Sequence, residues 1–214
     1  MSSYLFDENV QRLLTDLHAE ADRTDPPLLA KAEGKELEER ITLLDEAFIP
    51  VSPDAGRFLY ALARGCAMGD VVEFGTSFGI STIYLSAAIR DRGFGRVITT
   101  ELHAGKASKA HQHIAQTGLA NFVDLRVGDA LETLKVLRNP VSLVFLDGWK
   151  NLYKPLLHLL EPALAPGAMV VADDLDLFPE VLEPYLTYVR NPANGYVSVK
   201  VPIGDAMELS ARTR

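Results

Sequence analysis

Apolar residues follow two rhythms along this chain, and the change from one to the other falls near residue 48. Before it, Val10, Leu13, Leu14 and Leu17, and later Leu37, Ile41 and Leu44, recur every three or four positions with charged residues between them. That spacing lines one face of a helix. Two successive prolines remove two backbone donors, so Thr24-Asp25-Pro26-Pro27 reads as a loop that breaks this helical prelude. From Asp70 onward short apolar runs alternate with longer amphipathic stretches, the pattern of parallel strands joined by crossover helices. Strands are predicted over 70–75, 96–101, 122–127, 142–147, 168–173 and 196–201. A last one near 207–211 follows the turn Pro202-Ile203-Gly204-Asp205 and closes an antiparallel hairpin. The expected fold is α/β: one doubly wound, seven-stranded sheet, mostly parallel, preceded by a helical extension over 1–48.

Composition narrows the function classes more than the fold. A chain of 214 residues, 48% hydrophobic and 23% charged, suits one globular domain with a substantial core. Its net charge of −8 repels phosphate backbones and anionic lipid heads, so neither nucleic acid nor membrane is an expected partner. The first residues, Met1 to Glu8, do not read as an export signal, and no run approaches the ~20 apolar residues of a membrane helix. A cytoplasmic location is expected. The single cysteine, Cys66, excludes an internal disulfide and a multi-cysteine metal site. It falls at the end of a predicted helix and reads as a buried, inert thiol.

In a doubly wound sheet a ligand sits beyond the carboxyl ends of the strands, so the residues standing there carry the chemistry. They form a polar row: Glu73 to Gly79, Glu101, Gly128-Asp129, Asp147 to Lys150, and Asp173-Asp174. The first strand leads through Glu73-Phe74-Gly75-Thr76-Ser77-Phe78-Gly79 into a helix opening with Ser81. Glycines there let backbone approach a cofactor. Glu73 occupies the place of a first glycine and opposes a diphosphate, while it suits a ligand bearing an ammonium and a sulfonium. A plain tight turn is the other reading. Glu101, some twenty residues beyond the glycine turn, is placed to accept hydrogen bonds from ribose hydroxyls, or is a solvated strand-end acid. Gly128-Asp129-Ala130 suits an adenine edge and plane, and Asp129 equally suits a helix N-cap. Asp147, Asp173 and Asp174, at adjacent strand ends, make a hard oxygen site for a divalent cation such as Mg²⁺. Lys150 beside them is expected to have a lowered pKa and to serve as general base; helix caps and a surface lysine are the alternative.

At these residues the chain resembles the metal-dependent O-methyltransferases, the class that includes the catechol and caffeoyl-CoA enzymes. The resemblance rests on Glu73 to Gly79, Asp147-Gly148-Trp149-Lys150-Asn151-Leu152-Tyr153, Ala172-Asp173-Asp174 and Pro202 to Asp205, with Val51 to Leu59 upstream. It implies a Rossmann-like methyltransferase domain over 49–214 with S-adenosylmethionine as methyl donor. Glu73, Gly75, Thr76, Ser77, Gly79 and Ser81 would hold the donor, with Glu101, Leu102, Gly128, Asp129, Ala130 and Asp147. Asp147, Asp173 and Asp174 would bind the cation, and Lys150 would take a proton from the hydroxyl of a small, phenolic acceptor. A homodimer is implied as well. The chain departs from the family at Asp174, where asparagine is usual; a third negative charge holds a cation more tightly and weakens its pull on substrate oxygens. Residues 190 to 200 show no match to the catechol enzymes' additional acid.

Two other function classes remain open on the sequence: a nicotinamide-dependent oxidoreductase on a related sheet, which Glu73 argues against, and a non-catalytic module that keeps the cofactor pocket. Asp25-Pro26-Pro27-Leu28 is similar to the signature of amino-methylating DNA enzymes but precedes the first strand and lacks the aromatic residue. His111 and His113, two apart on a predicted helix, point to different faces and are expected at the surface.

Overall fold

Three helices lead into the sheet in the computed structural model, which describes residues 3–213: α1 (Glu8–Ala32), α2 (Leu37–Leu43) and α3 (Pro53–Gly65). α1 starts where Asp7 accepts the Asn9 amide, and it turns Val10, Leu14, Leu17 and Ala21 inward. It runs on through Pro26 and Pro27, against the loop predicted there. Both prolines are exposed, and the carbonyls they leave unbonded belong to Asp22 and Arg23, themselves exposed, where water can satisfy them. Asp25 beside them is buried, and its carboxylate accepts the amides of Phe48 at 2.9 Å and Ile49 at 2.7 Å. This anchor to a distant segment works against the local cost of about 3 kcal/mol that an interior proline carries.

The remaining elements alternate as the apolar pattern requires. They are β1 (Asp70–Phe74), α4 (Ile80–Arg92), β2 (Val97–Glu101), α5 (Ala104–Gln116), β3 (Val123–Val127), the single turn α6 (Ala130–Thr133), β4 (Val141–Leu146), α7 (Tyr153–Leu160), β5 (Leu164–Ala172), α8 (Pro179–Arg190), β6 (Tyr196–Val201) and β7 (Met207–Arg212). The seven strands lie in the order β3-β2-β1-β4-β5-β7-β6; β7 runs antiparallel to both β5 and β6, and the other pairs are parallel. The expected doubly wound, mostly parallel sheet with an antiparallel C-terminal pair is the fold observed. β5 begins earlier than predicted because Leu164 already pairs with Val141; the register then slips, so that Met169 faces Leu143 with exposed Pro166 and Gly167 looped out.

Successive strand residues face opposite sides, so one apolar run feeds two cores. Val71, Leu143 and Phe145 pack with α3, α4 and the buried stripe of α1; Val72, Val144 and Leu146 pack with α7 and α8. The helical extension therefore shares a core with the sheet. Cys66 caps the end of α3 and is half-buried rather than buried, and Arg92 reaches across to donate to its sulfur at 2.8 Å. Strand order reverses between β1 and β4, which opens a crevice at their carboxyl ends.

Candidate active site

The crevice is a cleft of about 730 Å³, roofed by the segment around α2 and floored by the ends of β1, β2 and β4. Its floor begins with the glycine turn. Gly75 has φ +101, and a side-chain carbon there would lie 2.7 Å from the Asp147 carbonyl oxygen, so only glycine lets β1 turn against the end of β4. Ser77 also sits in the left-handed region, at φ 47. Its amide donates to Glu101 Oε2 at 2.8 Å and its hydroxyl donates to the Phe48 carbonyl at 2.9 Å, which together fix the turn. Gly75, Thr76, Ser77 and Ser81 line the cleft, whereas Gly79 lies outside the lining, at the start of α4.

Glu73 is one layer further back. It is fully buried, accepts hydrogen bonds from Thr82 at 2.5 Å and Thr99 at 2.6 Å, and is absent from the cleft lining. Its Oε1 has no hydrogen-bond partner among the described residues. Burial pushes its carboxyl above the usual range; the nearby hydroxyls of Ser81, Thr82 and Thr99 oppose this and the charge of Glu101 adds to it. Glu101 ends β2 on the cleft floor, with Oε1 accepting the His103 amide at 3.0 Å. Leu102 follows it and lines both the cleft and an adjoining cavity of about 280 Å³. That cavity is bounded by Gly128, Asp129, Ala130, Ile41 and Trp149. Asp129 accepts the Leu131 amide at 2.8 Å, so it caps α6 and lines the cavity at once.

The acidic cluster stands at the other end of the cleft. Asp147 follows β4, and Asp173 and Asp174 follow β5; each offers a carboxylate oxygen, and these oxygens lie within 4.8 Å of one another. The Asp173 amide bonds to the Leu146 carbonyl at 3.0 Å, which places the two strand ends side by side. Asp174 adopts φ 65, a conformation that aspartate and asparagine tolerate better than most residues. The turn before β7 buttresses it, since Leu175 bonds to the Ala206 carbonyl and Asp176 to that of Asp205. Burial, and after it the neighbouring Asp174 charge, drive the Asp173 carboxyl up to about 7, and burial drives Asp147 well above the usual carboxylate range despite Lys150. Three crowded carboxylates with hard oxygen donors and a deficit of positive charge fit a divalent cation.

Lys150 donates to Asp174 at 2.7 Å and to the Tyr153 hydroxyl at 2.8 Å, with Asp147 at 3.5 Å. The pKa expected to be lowered is raised. Burial by itself depresses it, but Asp147, Asp174 and Asp173 more than offset that by stabilising the ammonium.

Several cleft residues come from helices and carry no sequence signature. Lys106 of α5 donates to the Leu44 carbonyl at 3.0 Å, with its pKa lowered by burial against the pull of Glu101. Phe48 stacks on Phe78 at 4.0 Å. Arg40, Trp149, Leu177, Phe178 and Val181 complete the wall beside the acids. His113 is not a simple surface residue: its Nδ1 lies 2.9 Å from the Phe78 carbonyl, beneath the glycine turn, while His111 is exposed.

Residues 72–175 match a family model described as a methyltransferase domain. The chain is 34% identical over 131 residues to a catechol O-methyltransferase of Niastella koreensis, covering 59% of this chain and 58% of that relative's length. It is 33% identical over 167 residues to a catechol O-methyltransferase of Mycobacterium tuberculosis, covering 75% of this chain and 71% of the other. Among solved structures, the O-methyltransferase TomG of Streptomyces achromogenes, determined with S-adenosylmethionine, superposes with a TM-score of 0.68 at 25% identity, over 87% of this chain and 90% of that one.

Proposed function

Since the chain belongs to the class I S-adenosylmethionine-dependent O-methyltransferase family, we propose that it methylates a hydroxyl of a small catechol-like acceptor with the help of a divalent cation. The observation that carries this reading is the convergence of three acids, Asp147 and Asp174 lining the cleft beside Lys150 and the buried Asp173 against them, in a cleft whose floor holds Glu101 and the glycine turn. S-adenosylmethionine supplies an electrophilic methyl group on a sulfonium centre.

Glu101 uses both carboxylate oxygens on the amides of Ser77 and His103, so it is rigid and has lone pairs left for ribose hydroxyls. Leu102 and Ala130 give the adjoining cavity apolar faces for an adenine, with Asp129 at its edge. Glu73 acts from behind, bracing Thr82 and Thr99 under the first turn of α4.

Asp147, Asp173 and Asp174 would hold the cation, which would acidify and orient an acceptor hydroxyl. The donor set suits Mg²⁺. Lys150 is positioned to accept the hydroxyl proton at Nζ, and compensation of the aspartate charges that now hold it protonated is the condition for that role. Trp149, Leu177, Phe178 and Val181 exclude water from the transfer. Catalysis then comes from holding nucleophile and methyl group in line, without a covalent enzyme intermediate. Family membership leaves the nicotinamide alternative without support.

The test is methyl transfer from labelled S-adenosylmethionine to catechol, followed by mass spectrometry with Mg²⁺ and after chelation. Product is expected only with the cation, and Asp147→Asn is expected to lose at least about a hundredfold in kcat/KM. Equal turnover with and without chelator excludes the cation; no turnover of any hydroxylated acceptor in protein that binds S-adenosylhomocysteine supports the non-catalytic module instead.

A further inference from the structure

Arg40 stands on the wall of this cleft and is used by neither the donor contacts nor the acidic cluster. Its guanidinium carbon lies 5.2 Å from the centre of the Phe178 ring, and the Lys150 ammonium lies 5.9 Å from the same centre. The two cations are therefore no farther apart than those distances together, a separation that one ring bearing substituents at both ends can bridge. Arg40 Nε is buried and makes no hydrogen bond, and among the described residues none of the ion pairs includes Arg40. The residue is part-exposed on the cleft wall, so its charge, answered by no ion pair among the described residues, is available to an anion that arrives with a ligand.

We propose that the acceptor carries a carboxylate on its ring, opposite the hydroxyl that is methylated, and that Arg40 binds it; this rests on the catechol reading above. The Phe178 ring holds the guanidinium beside it by a cation–π contact, and the planar fork of a guanidinium matches a carboxylate. Trp149, Leu177 and Val181 supply the apolar wall that a flat ring requires. Charge decides between anions. Glu33 and Glu36 line the same wall and the chain carries −8 overall, so a phosphate dianion is repelled where a single carboxylate is tolerated.

The test compares 3,4-dihydroxybenzoate with 3,4-dihydroxybenzamide, which has the same shape and no charge, in the presence of S-adenosylmethionine and Mg²⁺. The wild type is expected to prefer the acid by about tenfold or more in kcat/KM. That ratio is expected to fall towards one in Arg40→Gln and to lie between in Arg40→Lys, which keeps the charge and loses the fork. Because the ratio is taken within each variant, any loss of folded protein cancels. Calorimetric titration of both compounds into protein loaded with S-adenosylhomocysteine and Mg²⁺ is expected to give the same order. Equal use of the two compounds by the wild type, or an unchanged preference in Arg40→Gln, overturns the carboxylate assignment and leaves methylation standing. Turnover of neither compound overturns both.

Discussion

Burial of charge governs this site residue by residue. Glu73 has given up water for two hydroxyl donors and leaves one oxygen without a partner, so its proton is held more tightly in the folded chain than in the unfolded one. A carboxyl raised in this way costs stability as pH climbs from the ordinary carboxylate range through the raised value. Glu73→Gln removes that titration. The melting temperature of the variant relative to wild type is therefore expected to improve as pH rises above the ordinary carboxylate range; a difference that stays constant with pH contradicts the buried-acid account. The acids at the strand ends were legible in the sequence because a parallel sheet sends every carboxyl end to one rim, whatever the detailed packing. The depth of each was not. Glu73 follows Val71 to the α4 side of the sheet, away from the cleft, and only the position of Thr82 on α4 and Thr99 on β2 shows why.

At the scale of elements, the roof of the cleft hangs on a few polar ties. Asp25 of α1 holds the amides of Phe48 and Ile49, Ser77 holds the Phe48 carbonyl, and Lys106 of α5 holds the Leu44 carbonyl. Asp25→Ala removes two bonds to a charged acceptor and is expected to cost about 3 kcal/mol in urea unfolding. The freed segment is also expected to weaken S-adenosylhomocysteine binding severalfold, because Phe48 no longer keeps its place on Phe78. Loss of stability with unchanged affinity would show that the roof takes no part in binding. The strands were legible to within a few residues because each is a compact apolar run. α1 was not, because the tie that carries it through Pro26 and Pro27 lies 23 residues away in sequence. Arg40 and Lys106 escaped notice for a related reason: the packing of a helix, not its sequence alone, decides which of its polar residues faces a cleft.

For the whole molecule, the two cores on opposite faces of one sheet leave the carboxyl rim as the place where backbone turns and acids gather, and the helical extension closes over it. No helix among the described residues is long and apolar enough to cross a membrane. The central claim is that this single rim holds methyl donor and cation together, the nucleoside between Glu101 and Ala130 and the ion among three aspartates. The most direct measurement is anomalous diffraction from crystals grown with S-adenosylhomocysteine and Mn²⁺. The account predicts one manganese peak bounded by Asp147, Asp173 and Asp174, with the ribose against Glu101. A nucleoside bound elsewhere, or an acidic cluster without manganese while Lys150 keeps its bond to Asp174, contradicts it.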